Sequence, residues 1–466
     1  MSEKTIGKEM LDQLSYKKKN VYEEASAEKI RAIYDYAEGY MKYLDDAKTE
    51  REAVAASIEL AKKNGYTEYK FGDKLSVGDK KYYVNHNKAL ILFRIGKNDI
   101  EKEGIRILAS QIDSPRLDLK QVPMYEDSGM AFLKTHYYGG IKKYQWTAIP
   151  LALHGVVVKN DGEVVNICIG EKDDEPVFYI NDLLPHLAAN QAQQTLSNAI
   201  PGETLNILIG GLPYNDEEVT DKIKLTALSY LNDNYGITEA DLLSAELSLV
   251  PAEKARNVGF DGALIASYGH DDRVCSYPAL TALFDCTTDS KTAMVILADK
   301  EEIGSVGVSG MKSDIFTDLI EEISISLGKN VRRVRSVSKC LSADVNAAYD
   351  PNFPDVYEKR NSAMISCGTV ISKYTGARGK SGTSDASAEF MGFVRRLLDE
   401  NNVIWQTAEL GKVDAGGGGT VAMYIANHNI ETIDIGVGVI SMHAPYEVVS
   451  KADVYSTYEA CLAFVK

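Results

Sequence analysis

AMVILADKEE, residues 293–302, is the stretch that decides the fold. Its first seven residues form an apolar run closed by an aspartate, too short for a helix and of the length of a strand buried on both faces. It leads directly into Lys300-Glu301-Glu302. Acids in that place sit where open α/β sheets bind ligands, beyond the carboxyl ends of their strands. Downstream, TDLIEEISISLG (317–328) has the spacing of an amphipathic helix. A second helix is expected over 386–402, where Phe390, Phe393, Leu397 and Leu398 share a face. VIWQTAEL (403–410) and TIDIGVGVISM (432–442) read as strands, and DVYSTYEACLAFVK (453–466) as a closing helix. Strands alternating with helices predict a layered α/β domain.

Upstream, ALILFRIG (89–96) and GIRILAS (104–110) are further buried strands. The first 66 residues are helical in pattern, with Ile30, Ile33, Tyr34, Ala37, Tyr40, Met41 and Leu44 on one stripe. Thr49 and Glu52 form a T-x-x-E capping box, and Gly65 is a stop signal. Residues 147–170 read as strand, turn at Asn160-Asp161-Gly162, and strand. The middle of the chain thus holds more strand than helix.

The 466 residues are 45% hydrophobic and 25% charged. That composition excludes a disordered, collagen-like or disulfide-scaffold protein, and the length allows two or three domains. A net charge of −16 argues against a nucleic-acid backbone or an anionic membrane as the main partner. The six cysteines include no C-x-x-C pair and read as reduced thiols. The N-terminal residues carry no secretory signal, and the most membrane-like run, 148–158, is too short to span a bilayer. The expectation is a soluble, cytoplasmic protein.

Several candidate ligands follow predicted strands or precede a helix. Gln111-Ile112-Asp113 follows 104–110, Asp271-Asp272 precedes a helix starting near Val274, Asp344 follows KCLS, and His443 ends 432–442. A pair of divalent cations needs a bridging carboxylate, further carboxylate or imidazole ligands, and one free carboxylate to take a proton from water. Asp272, Glu302, Asp344 and His443 could supply the ligands and Glu301 the base, because consecutive side chains at a strand end point in different directions. Each has a plainer reading: solvated acids at Glu301 and Glu302, a helix N-terminal acid at Asp272, a turn residue at Asp344, a structural histidine at His443. His270 reads as a turn residue, Arg378 and Lys380 as a solvated loop, and Gly416 to Gly419 as a loop passing close to the site. His86, His136, His154 and His428 have no acid or cysteine at useful spacing.

Eight segments in order, SQIDSPRLDLK, YYGGIKKYQW, DLLPHLA, GHDDR, DKEEIGS, SADVNAA, GKVDAGGGGT and SMHAPYE, resemble the aspartyl aminopeptidase and aminopeptidase I family of dinuclear zinc metallopeptidases. The likeness is to bacterial members and runs over nearly the whole chain. It implies a catalytic domain built from residues 1–120 and 250–466, a mixed sheet flanked by helices. It also implies an inserted, strand-rich dimerisation domain at 121–249, with dimers assembling into a dodecamer. Matched residue by residue, Asp272 is the bridging aspartate, Glu301 the general base, and Glu302 and His443 ligands of one metal. Asp344 is a ligand of the other. His186 matches a third active-site histidine that reaches the partner subunit's site, as a zinc ligand or as a hydrogen-bond donor to the reacting carbonyl.

One position departs from the family pattern. Gln111 stands where the family has a histidine ligand of the Asp344 metal, whose ring the aspartate at 113 orients. A glutamine offers only a neutral amide oxygen, better suited to harder cations than to zinc. The expected activity is removal of an N-terminal residue from peptides by two divalent ions, zinc with manganese or cobalt as alternatives. A metal-site-impaired homologue with a binding or assembly role is the second reading, which Gln111 favours. A metal-dependent amidase or deacetylase is the third.

Overall fold

The computed structural model describes residues 5–466. The first four residues of the helical stretch expected over 1–66 lie outside the described residues. Among the described residues the strands form three sheets, of nine, seven and five strands.

The nine-stranded sheet runs in the order Thr67–Glu68, Lys80–Asn85, Ala89–Arg94, Ala293–Ala298, Arg106–Gln111, Lys339–Ala343, Glu431–Gly436, Thr369–Ser372, Trp405–Thr407. The four strands from Ala293–Ala298 to Glu431–Gly436 are mutually parallel, and antiparallel neighbours flank them. Their carboxyl ends therefore share one edge.

Alternation along Ala293–Ala298 explains its unbroken apolar run. Val295 and Leu297 pack with the helices Ala27–Asp46, Glu50–Lys63, His270–Asp285, Ala388–Glu400 and Lys451–Val465. Met294, Ile296 and Ala298 face the opposite layer, where Phe316, Leu319, Ile320 and Ile323 belong to the helix Ile315–Ser326. The sheet is mixed, with helices on both faces, as expected.

Local signals fix several helix starts. Ser26 Oγ accepts from the Lys29 amide, and the Thr49–Glu52 capping box forms reciprocally. Ser387 Oγ caps the next amphipathic helix by accepting from Phe390 N.

The expected strand over 432–442 is instead two. Glu431–Gly436 stays in the nine-stranded sheet, whereas Gly438–Ile440 pairs with Glu447–Ser450 in the five-stranded one. Gly436 sits at the break, where a Cβ would overlap the Asp344 carbonyl. The stretch expected as a strand over 403–410 contributes only Trp405–Thr407.

The chain enters the seven-stranded sheet along Arg116–Asp127 and leaves along Ala245–Pro251, two strands that pair antiparallel. This sheet has its own core around Leu117, Trp146, Leu151 and Leu249. The hairpin Leu151–Val158 and Val164–Ile169 forms around the expected turn.

Ion pairs join this sheet to the helix Glu50–Lys63. Arg116 Nη1 lies 2.7 Å from Glu50 Oε2. His154, unassigned from sequence, is buried with Nδ1 2.7 Å from Glu52 and Nε2 2.9 Å from Glu171, while Lys48 lies 2.8 Å from Glu171. Burial disfavours the imidazolium, but hydrogen bonds to its neighbours outweigh that and hold His154 up at about 11. No helix among the described residues is long and apolar enough to cross a membrane.

Candidate metal centre

The parallel strands deliver their following residues to one crevice. Gln111 ends Arg106–Gln111 and is in register with Ala298. Lys300 adopts a left-handed conformation (φ 68°), which turns the chain so that Glu301 and Glu302 open a short 3-10 turn. Asp344 follows Lys339–Ala343. The five-stranded sheet supplies the rest: Leu264–Ser267 leads into Asp271 and Asp272, and the loop after Gly438–Ile440 carries His443.

Two groups of potential ligands result, each with its atoms within 4.8 Å of one another: Asp271, Glu302 and His443, and Asp271, Asp272 and Asp344. Asp271 is common to both. Its Oδ2 lies 3.1 Å from His443 Nε2, and its Oδ1 accepts from Gln111 Nε2 at 3.1 Å. Gln111 Nε2 is also 3.5 Å from Asp344 Oδ1. The sequence resemblance gave the bridging place to Asp272. The structure puts Asp272 in only one group, whereas Asp271 belongs to both.

Surrounding groups hold these side chains. Glu447 Oε2 accepts from Asp271 N at 3.0 Å and its Oε1 from His443 N at 2.7 Å. Ser114 Oγ donates to the Asp271 carbonyl at 2.6 Å. His443 Nδ1 is 2.8 Å from the Gly140 carbonyl, which fixes the ring and leaves Nε2 facing Asp271 and Glu302. Gly139 (φ +76°) brings the same loop against Glu302, where a Cβ would stand 3.1 Å from Oε2. Asp113 accepts from Glu301 N at 3.1 Å, from Glu302 N at 3.2 Å and from Tyr138 OH at 2.8 Å. It therefore positions the paired glutamates. The sequence reading gave no role to Glu447, Gly140 or Tyr138; their signal was membership of the quoted segments YYGGIKKYQW and SMHAPYE.

The residues fit a divalent cation. Gln111 Oε1, both carboxylate oxygens of Asp272 and Glu302 Oε1 are buried without a hydrogen-bond partner. Buried polar atoms in that state call for a ligand. Burial, then the charge of Asp344, pushes Asp272 well above the usual carboxylate range, and burial with Glu301 does the same to Asp344. Burial, then Asp271 and Asp113, pushes Glu302 well up and Glu301 up to about 8. Burial opposes a charge on His443, but its bond to Asp271 outweighs that and lifts it to about 9. Carboxyl groups massed this closely repel one another, and a bound cation reverses the balance.

Other candidates lie apart. His186 is exposed on the turn Pro185–Leu187 and is in none of the donor groups found among the described residues. His270 is buried between Tyr40 OH (2.7 Å) and the Ile265 carbonyl (3.2 Å), a structural role. Lys380 pairs with Asp385 at 2.9 Å. A third donor group, Glu52, His154 and Cys168, lies at the ion-paired seam, where carboxylates already engage both ring nitrogens of His154.

Comparison with known proteins agrees with this architecture. The sequence profile "Aminopeptidase I zinc metalloprotease (M18)" matches residues 43–465. A probable M18 family aminopeptidase 1 of Clostridium acetobutylicum is 47% identical over 455 residues, 96% of this chain and 98% of that protein. The crystal structure of an M18 aminopeptidase from Thermotoga maritima superposes with TM-score 0.92 at 41% identity, covering 97% of this chain and 100% of that one. The mApe1 dodecamer of S. cerevisiae superposes with TM-score 0.76 at 24% identity, covering 92% and 96%, a likeness of fold. Matched along almost its entire length, the chain belongs to the M18 family of aminopeptidase I zinc metalloproteases and is a metal-dependent aminopeptidase.

Proposed function

We propose that the chain removes the N-terminal residue of peptides at a two-ion centre bridged by Asp271, with Glu301 as general base. One observation carries this reading: the two oxygens of Asp271 face different donor groups, one toward His443 and one toward Gln111 and Asp344. Glu302 and His443 would hold one ion, and Asp344 with Asp272 and Gln111 the other. When bound, such a pair polarises the scissile carbonyl and lowers the pKa of the attacking water. Glu301 opens the short turn directly beside the ligand Glu302, where its carboxylate can accept a proton from the attacking water and return it to the leaving amine. Asp113 holds Glu301 at its backbone amide, and Glu447 fixes Asp271 and His443 together.

His186 is proposed to act in a partner subunit's site as a hydrogen-bond donor to the reacting carbonyl oxygen. Its exposure, and that of Leu183, Leu184 and Leu187 around it, supports burial of this turn against a second copy. The dodecamer described for the 24% identical yeast relative supports the same assembly here.

The test is to strip the protein with a chelator, reload it with zinc, manganese or cobalt, and assay chromogenic aminoacyl substrates. Reloaded protein should turn over, and Glu301→Gln should lower kcat ~10²–10⁴-fold while retaining metal. A Glu301→Gln variant as active as the native protein would refute the assignment of the base. Gln111 favours one other reading, a homologue impaired at the metal site with a binding or assembly role. Absence of turnover with every metal, restored by Gln111→His, would establish that reading.

A further inference from the structure

We propose that the two halves of the centre select different ions: zinc at Asp271, Glu302 and His443, and a hard divalent ion of the manganese or magnesium type among Asp271, Asp272, Asp344 and Gln111. This rests on the two-ion reading above and concerns which ion each half prefers.

The donor sets differ in kind. The first half contains an imidazole whose Nε2 is aimed inward by the Gly140 carbonyl. Nitrogen donors suit zinc. The second half offers oxygen alone. Its three carboxylates are joined by Gln111, 1% exposed, whose Oε1 has no partner and whose Nε2 lies between Asp271 and Asp344. The two ends of a carboxamide are nearly the same size, so a half-turn presents the oxygen to a cation between those carboxylates. Asp272 is fully buried and also brings two carboxylate oxygens. The thiol of Cys275, on the same helix, lies against Asp272 but belongs to neither donor group.

Hard cations take oxygen ligands and complete their shell with water. Zinc outcompetes manganese at most mixed sites, and it is the nitrogen or sulfur donor that enlarges this advantage. An oxygen-only half gives up much of that preference. Three carboxylates also outweigh the charge of one divalent ion, which strengthens purely electrostatic binding of a hard cation.

The experiment is a competition read by metal content. Chelator-stripped full-length protein is dialysed against zinc in excess over protein and manganese in larger excess over zinc, then analysed for both elements and by manganese electron paramagnetic resonance. The expected result is one zinc and one protein-bound manganese per protomer. Under a zinc excess over manganese, Gln111→His should hold zinc in both halves, with zinc-over-manganese selectivity of the second half raised ~10–100-fold. His443→Ala should lose the zinc and keep the manganese. Two zinc ions per native protomer under this manganese excess would overturn the inference and leave the two-ion centre standing. One zinc with no bound manganese would also overturn it. Binding of neither metal would instead refute the two-ion reading itself. The native competition alone decides the matter if a variant does not fold.

Discussion

Asp113→Asn tests whether the placement of Glu301, rather than its mere presence, sets the rate. In the native protein Asp113 Oδ1 accepts from Glu301 N at 3.1 Å, and Oδ2 accepts from Tyr138 OH at 2.8 Å and Glu302 N at 3.2 Å. Asparagine keeps one oxygen. Its better orientation retains the two bonds to Oδ2 and sets an NH2 group against the Glu301 amide, donor against donor. One buried N–H left unpaired costs ~1–3 kcal/mol, which is the stability loss expected in urea unfolding. Burial, then the charge of Asp299, lifts Asp113 to about 7, so near neutral pH the native group is partly protonated and the loss of charge adds little. The repulsion displaces Glu301, and a shift approaching 1 Å at a reacting group costs ~10²-fold. The expected kcat is ~10–100-fold below native. Because the proton transfer matters only in the transition state, kcat/KM should fall by the same factor with KM unchanged. Metal content, measured by elemental analysis, should stay native because the ligands are untouched. A kcat within twofold of native at full metal content, or a loss confined to KM, would refute the reasoning.

Three other perturbations give separate readouts. Gly436→Ala places a methyl group on the Asp344 carbonyl and must shift that segment, so dialysis should show weakened metal binding in the oxygen-only half while zinc in the other half is retained. His154→Ala leaves Glu52 and Glu171 facing each other at the seam and should cost about 3 kcal/mol, the lower end for breaking a buried pair because Glu52 is 30% exposed. His154 is held up at about 11, above its unfolded value near 6.5, so its contribution is complete below pH ~6.5, falls progressively above that, and is gone once pH has risen through about 11. The native-minus-variant stability difference should therefore decline between pH 7 and 9, by at most ~1.4 kcal/mol per pH unit. Asp453 is buried, accepts from Ser366 N and Gly368 N, and is pushed up to about 8 by burial. Its unfolded value is near 3.9, so the folded chain holds the proton; the contribution is complete below pH ~4 and fades as pH rises through about 8. Denaturant titrations should show a native-minus-Asp453→Asn difference that declines over that window, by at most ~1.4 kcal/mol per pH unit.

What the sequence revealed follows from the range of the forces involved. Ala293–Ala298 was legible because a strand covered on both faces must be apolar at every position. The Thr49–Glu52 capping box was legible because both partners lie within one turn. The division of 432–442 was not, since residues 431–436 and 438–440 both have strand character and only their packing partners separate them. Nor was the role of Asp113, whose bonds reach residues 188 and 189 positions away. His154 carried no local signal because Glu52, 102 positions away, meets it only through the folding of one sheet against a helix of another layer.

The choice between Asp271 and Asp272 shows why adjacent acids defeat a one-dimensional reading. Spacing assigns both to the same helix start. The backbone there is not yet helical, with Asp271 at φ −82°, ψ 107° and Asp272 at φ −120°, ψ 29°, so helical periodicity cannot say where either carboxylate points. The surrounding bonds make the distinction. The amide and carbonyl of Asp271 are held by Glu447 and Ser114, and Glu447 simultaneously holds the amide of His443. One buried carboxyl group thus links residues from two separated segments, 271 and 443. The strands leading to those segments both pair with the strand that begins at Glu447. The five-stranded sheet therefore acts as the frame that sets Asp271 against His443, while the nine-stranded sheet delivers Gln111, Glu302 and Asp344. On the proposed two-ion reading, these ligands come into register only where the two sheets meet, so substitutions that disturb that packing would weaken metal binding without touching a ligand.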